Sequence, residues 1–88
     1  LQMGFETMAM IGIRVDGNRL MEVADKIAAF SEVIYLVITS GSYDILAEIR
    51  THNQTHLLSF LTDKLYKIEG VRESESFLHL KIMKEIYF

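Results

Sequence analysis

The 88-residue sequence predicts an α+β fold in which two helices cover one face of a four-stranded antiparallel sheet. Three observations carry this reading. Two stretches repeat apolar residues at helical spacing, and four others alternate with period two or are β-branched throughout. Turn residues fall between them, at Asp16-Gly17-Asn18, Ser40-Gly41-Ser42 and Gly70. The resulting order, β-α-β-β-α-β, is the ferredoxin-like arrangement.

The first strand is expected from Thr7 to Val15, with Ala9, Ile11, Ile13 and Val15 on one face and Met8, Met10, Gly12 and Arg14 on the other. Asn18 is the expected N-cap of a helix over Arg19–Phe30, whose apolar stripe is Leu20, Val23, Ala24, Ile27 and Phe30. Val33 to Thr39 reads as a buried strand. Its Ile34, Leu36 and Ile38 take one face, and Val33, Tyr35 and Val37 the other. The Ser-Gly-Ser turn makes it a hairpin with a third strand from Tyr43 to Thr51, which places Tyr43 with Ile45, Ala47 and Ile49. Asn53 caps a second helix over Gln54–Lys67, striped by Leu57, Leu58, Leu61 and Leu65, with Lys64 and Lys67 at its negative end. Gly70 ends it. The fourth strand begins at Val71 and is expected to run to Lys81 or beyond.

Half of the residues are hydrophobic and the mean hydropathy is +0.20. That exceeds what a small sheet covered on one side can hide. The first two strands are apolar on both faces, yet the two helices cover only one, and a wet second face would be polar. A second copy related by a two-fold axis is the expected cover, giving a dimer through sheet faces. A domain of this size is marginally stable alone, and with no cysteine it has no disulfide to supplement its core. Residues 1–6 are read as a stub or linker, 7–82 as the domain and 83–88 as an apolar tail. Ile86, Tyr87 and Phe88 of that tail are expected to dock on a neighbouring chain. Position 1 is Leu, which fits a fragment, a processed product or vector-derived residues before Met3.

The net charge of −3, with nine basic residues and no run of three, argues against a general nucleic-acid binder. No apolar run reaches membrane length and no secretory signal is visible, so a cytoplasmic location without membrane contact is expected.

Three stretches carry a resemblance: MAMIGIRV at 8–15 with the Leu20/Val23 helix, TSGSYDILAEI at 39–49, and LLSFLTDKLYKIEGVRESESFLHLK at 57–81. Together they resemble the effector domain of the leucine-responsive and asparagine-responsive regulators, the Lrp/AsnC family, from about Gly4 to Lys81. The resemblance implies the same fold and pairing through sheet faces. It also implies assembly of dimers into octamers or related rings, and an amino acid or similar small effector bound between dimers. It implies DNA contact only through a helix-turn-helix that this stretch lacks. Gly41, Ser42, Tyr43 and Asp44 match the family's binding loop. Ser74 and Ser76 stand where the family often has Thr-x-Thr, keeping the hydroxyl and losing a methyl. Leu57 and Leu58 match the helix segment that approaches the effector's side chain, and two leucines there favour an apolar effector.

Each of these residues also has a plainer reading. Tyr43 and Asp44 suit a packed aromatic and a carboxylate accepting turn N–H bonds. Ser74 and Ser76 between Glu73 and Glu75 suit a charged strand edge, and the leucines suit a core. His52 and His56 are four apart, but His52 precedes the helix and no third ligand has an obvious position, so no metal or cofactor is expected. Glu73 and Glu75 share a strand face with no nucleophile beside them, so an enzyme is not expected. The alternative function is an ACT-like amino-acid-binding module of a metabolic enzyme. Such modules pair edge to edge, which the two-sided apolar strands disfavour. Asp16-Gly17-Asn18-Arg19 only superficially echoes an acylphosphatase anion loop. An RNA-binding sheet would need exposed aromatics amid basic residues, which the central strands lack.

Overall fold

The computed structural model describes residues 6–86. It contains β1 (Thr7–Val15), α1 (Leu20–Ala28), β2 (Val33–Ile38), β3 (Ile45–Thr51), α2 (Gln54–Phe60) and β4 (Val71–Leu78). The sheet order is β2-β3-β1-β4 and every neighbouring pair is antiparallel, as the ferredoxin-like reading requires. The core lies between this sheet and the two helices. Ile11 and Ile13 of β1, Ile45 and Ile49 of β3, Val23 and Ile27 of α1 and Phe60 of α2 are fully buried there. Phe30 and Phe60 meet edge to face at 5.6 Å, tying the end of the first helical segment to the second.

Several expected boundaries move, each for a local reason. Gly17–Arg19 form a 3-10 turn, with the Arg19 N–H donating to the Asp16 carbonyl at 2.9 Å. Asn18 is thereby inside the turn and Arg19 precedes α1, so the expected Asn18 cap is not made. The turn is pinned by the Asp16 N–H donating to the Gly70 carbonyl at 2.9 Å. Gly70 has a φ of 104°, and a Cβ there would lie 3.0 Å from Val23, so only glycine fits this crossing. The Asn53 cap does form, its side chain accepting the His56 N–H at 2.8 Å.

In β2 the register shifts between Val33 and Tyr35. Val33 pairs with Ile49, while Leu36 and Ile38 pair with Ala47 and Ile45. The bulge therefore turns Val33 to the helix side with Leu36 and Ile38, not to the side of Tyr35 and Val37 as simple alternation predicts. β3 begins at Ile45, and Tyr43 does not join its buried face, for a reason given below. β4 stops at Leu78, opposite Ala9, and the His79 N–H to the Met8 carbonyl at 2.9 Å follows it. The expected continuation to Lys81 is absent because β1 has only Thr7 and Met8 left beyond Ala9 to offer a partner strand. Leu80, Met83 and Ile86 are exposed past this point, and Tyr87 and Phe88 of the expected docking tail lie outside the described residues. Helix two loses its α pitch after Phe60. Leu61–Leu65 form a π turn, closed by the Tyr66 N–H donating to the Leu61 carbonyl at 2.9 Å.

Candidate functional site

α2, its π turn and β4 diverge to leave two clefts in line along β4. Ser74 and Ser76 pair with Ile13 and Ile11, so both hydroxyls stand on the helix side of the sheet, two residues apart. One cleft, of about 320 Å³, is lined by Gln54, Leu57, Leu58, Leu61, Ser76 and Leu78. The other, also about 320 Å³, is lined by Tyr66, Val71, Arg72, Glu73 and Ser74. Ser74 donates to the Tyr66 hydroxyl at 3.1 Å. The pair of clefts thus runs from an aliphatic end to an end rich in hydroxyls and charge. Leu57 also packs against the core, but Leu58 is 60% exposed and has no such duty. The structure therefore brings Leu57, Leu58 and Ser76 together and sets Ser74 beside them.

Gly41, Ser42, Tyr43 and Asp44 line neither cleft. The Gly41 N–H donates to Thr39 Oγ1 at 3.0 Å, and the Thr39 N–H to the Asp44 carbonyl at 3.0 Å. Asp44 is tied to β1 twice: its N–H donates to the Ile13 carbonyl and its carboxylate accepts the Val15 N–H, both at 2.9 Å. The Tyr43 ring crosses the far side of the sheet over Gly12, where a Cβ would come within 2.6 Å of it. Its hydroxyl donates to the Glu75 carboxylate, which holds the phenol above its usual range. The Arg14 guanidinium lies 5.5 Å from the ring centre and the Phe77 ring 6.3 Å away, edge-on. Tyr43 thus leaves the buried face of β3 because the bare backbone of Gly12 offers it a seat on the other face. Within one chain, Tyr43 and the two serines lie on opposite faces of the sheet.

The ferredoxin-like fold has counterparts among known proteins. Residues 8–87 match the family model of the Lrp/AsnC ligand binding domain. The chain belongs to the Lrp/AsnC family. An uncharacterized HTH-type transcriptional regulator of Pyrococcus furiosus is 37% identical over 81 residues, covering 92% of this chain and 55% of the relative. The HTH-type transcriptional regulator FL11 of the same organism is 36% identical over 83 residues, covering 94% and 54%. The chain therefore spans about half the length of these relatives. The fold is also that of E. coli AsnC, with a TM-score of 0.87 at 24% identity over 97% of this chain and 59% of that one. A Neisseria meningitidis transcriptional regulator solved as its L-Met complex gives 0.84 at 21% identity, over 90% and 53%. A Thermus thermophilus protein gives 0.85 at 26% identity, over 90% of this chain and 99% of its own.

The Lrp/AsnC frame leaves one charged cluster to explain. Glu32, in the loop before β2, is 8% exposed. Lys64 Nζ donates to both its oxygens, at 3.0 and 2.9 Å. His56 Nδ1 accepts the His52 N–H at 3.0 Å, so its Nε2 carries the hydrogen and donates to Glu32 at 3.0 Å. Burial pushes the Glu32 carboxyl up, but the bonds from Lys64 and His56 outweigh it and hold the group at about 2. Both ring nitrogens of His56 are thereby engaged, and the histidine pair clamps α2 to the loop before β2. Nothing in the sequence marks Glu32, which sits between elements with no periodic neighbour. Gly12 did carry a signal, as an isolated glycine inside a strand pattern. Among the described residues, no helix is long and apolar enough to cross a membrane.

Proposed function

We propose that this chain is the small-molecule-sensing and assembly domain of an Lrp/AsnC-type transcription regulator, and that its effector is an amino acid with an apolar side chain. The observation that carries this is the groove beside β4. Leucines line one end of it, and Ser74, Tyr66 and Arg72 stand at the other. An amino acid has the same two-ended character: its side chain suits the leucines, and its charged ends suit the hydroxyls and guanidinium. Among the described residues, no charged group lines the aliphatic end, which would leave an acidic or basic side chain unpaired there.

The groove is open, and the Gly41–Asp44 turn lies away from it. The site is complete when the turn of a neighbouring chain closes it, with Tyr43 and Asp44 bracing the turn and Gly41 and Ser42 presenting backbone groups. A ligand held between chains favours the assembled state by its differential affinity, which is how it would alter the spacing of attached DNA-binding domains. The basic unit is a homodimer through the sheet face opposite the helices. That face carries Met10, Val37, Leu46 and Phe77, and a second copy covers it with the same surface. Dimers associate further. DNA contact belongs to a helix-turn-helix outside this stretch, and the domain performs no catalysis. The setting is cytoplasmic.

Native mass spectrometry with a mixture of the common amino acids tests this. The expected result is a dimer or a multiple of dimers that retains an aliphatic amino acid or methionine. A monomer retaining none of them overturns the reading.

A further inference from the structure

Glu32 reaches the second helical segment at two places. His56, in the first turn of α2, meets the carboxylate at 3.0 Å, and Lys64, in the π turn, donates to both oxygens at 3.0 and 2.9 Å. Leu57, Leu58 and Leu61, the three leucines of the aliphatic cleft, all lie between those two anchors. Tyr66, which lines the other cleft and accepts from Ser74, follows directly after the π turn. Glu32 is itself held from behind, since the Arg50 N–H donates to its carbonyl at 2.8 Å and ties it to β3. It lines neither cleft.

The π turn is what brings the second anchor round. At about 100° per residue, an unbroken α-helix carries the residue seven places after His56 to within about 20° of it, and the residue eight places after to about 80° away. Those residues are Asp63 and Lys64. A regular helix would therefore aim Asp63, a second carboxylate, at Glu32. The extra residue of the π turn, closed by the Tyr66 N–H donating to the Leu61 carbonyl at 2.9 Å, turns Lys64 into that place. Asp63 is left exposed, where it accepts from Ser59. The core keeps the same register, burying Leu65 five places after Phe60. The Glu32 contacts and the π turn thus support each other, and together they set where the leucines stand relative to Tyr66.

We propose that Glu32 is a positioning residue for the effector groove: its grip on His56 and Lys64 holds the leucine end in register with the Tyr66–Ser74 end, and so sets the side-chain length the groove accepts. The inference rests on the amino-acid-sensing reading above. A pocket discriminates sharply only when its walls keep their places as a ligand that is too short or too long enters. In a fitted apolar pocket one methylene changes affinity by about tenfold or more. Without the carboxylate both anchors are released, the leucines yield to ligands of several lengths, and that discrimination goes.

The test is calorimetric titration with 2-aminobutyrate, norvaline and norleucine, which lengthen by one methylene at a time, and with valine and leucine as a branched pair. It is run at a temperature where circular dichroism shows every variant folded. The unaltered chain is expected to prefer one length over its neighbours by about tenfold or more. In Glu32→Gln and in Lys64→Gln the preference should fall to about twofold or less. The double variant should be no less selective than either, because both substitutions break one contact. Lys64→Arg keeps donors for the carboxylate and should keep the preference. If Glu32→Gln does not fold, Lys64→Gln carries the same comparison. Affinities that all fall by one common factor mean a merely structural role and overturn the proposal. So does a variant that keeps the full preference, or an unaltered chain with none. An unaltered chain that binds no amino acid at all overturns the sensing reading itself and this inference with it.

Discussion

Gly12 and Tyr43 form a lock and its seat. The ring occupies the space a side chain at position 12 would need, and in return reaches Arg14, Phe77 and Glu75 on two other strands. Gly12→Ala forces a methyl into the ring, so the ring must lift. The expected cost is about 1–3 kcal/mol by urea unfolding. Adding Tyr43→Ala should shrink the cost of Gly12→Ala to a few tenths, because the clash is then gone. A Gly12→Ala cost that is the same with and without the tyrosine would place the effect in the backbone instead. Asp44 shows a second residue whose geometry decides between two readings. Its carboxylate is committed to the Val15 N–H, so Asp44→Ala should lower stability by about 1–2 kcal/mol. It should weaken effector binding and self-association together, since the turn loses its anchor. A selective loss of effector binding, measured by calorimetry beside sedimentation, would instead make Asp44 a direct ligand.

α2 carries the leucines of the groove, and Glu32 fixes where α2 begins. Its carboxyl is held at about 2 against an ordinary 4.5, so its contribution is fully present above pH 4.5 and is lost as pH falls from there toward 2. Melting followed by circular dichroism should therefore show a steeper acid loss in the native chain than in Glu32→Gln. The two curves should differ by roughly 2–3 kcal/mol near neutrality and converge in strong acid. Parallel curves would mean that Lys64 and His56 contribute nothing through this carboxylate. The same element shows what a sequence can and cannot disclose. The Asn53 cap is a local pattern and appears in the structure, whereas α2 ends at Phe60 and its π turn at Leu65, so Gly70 serves the crossing before β4 and does not end the helix. The π turn at Leu61–Leu65 and the bulge at Ile34 are not local. They accommodate one extra residue in the path the chain must follow over its neighbours, and no propensity records that. Glu32 was illegible for a related reason, since its partners arrive from positions 56 and 64. Of the site, the alignment of Ser74 with Ser76 followed from strand period alone. The placement of Tyr43 on the opposite face depended on a vacancy at Gly12, inside another strand.

At the scale of the molecule, only one face of the sheet is covered within the chain. The helix-side core is complete within the chain, with eight fully buried isoleucine, valine, leucine or phenylalanine side chains among its largest members, and it contains no residue of the open face. The open face can therefore be altered without emptying the core. Met10 lies there directly opposite Glu48, and Met10→Glu would set a second carboxylate beside the first. The altered chain should keep its far-ultraviolet dichroism but sediment as a monomer. Because association stabilises only the folded chain, the melting temperature of the native protein should rise with protein concentration. That of Met10→Glu should be lower and independent of concentration. The same variant separates two versions of the effector site. If the groove beside β4 is sufficient within one chain, amino-acid binding survives in the monomer. If the Gly41–Asp44 turn of a neighbour completes it, binding falls with assembly, and the sensing and the association are one equilibrium read from two ends.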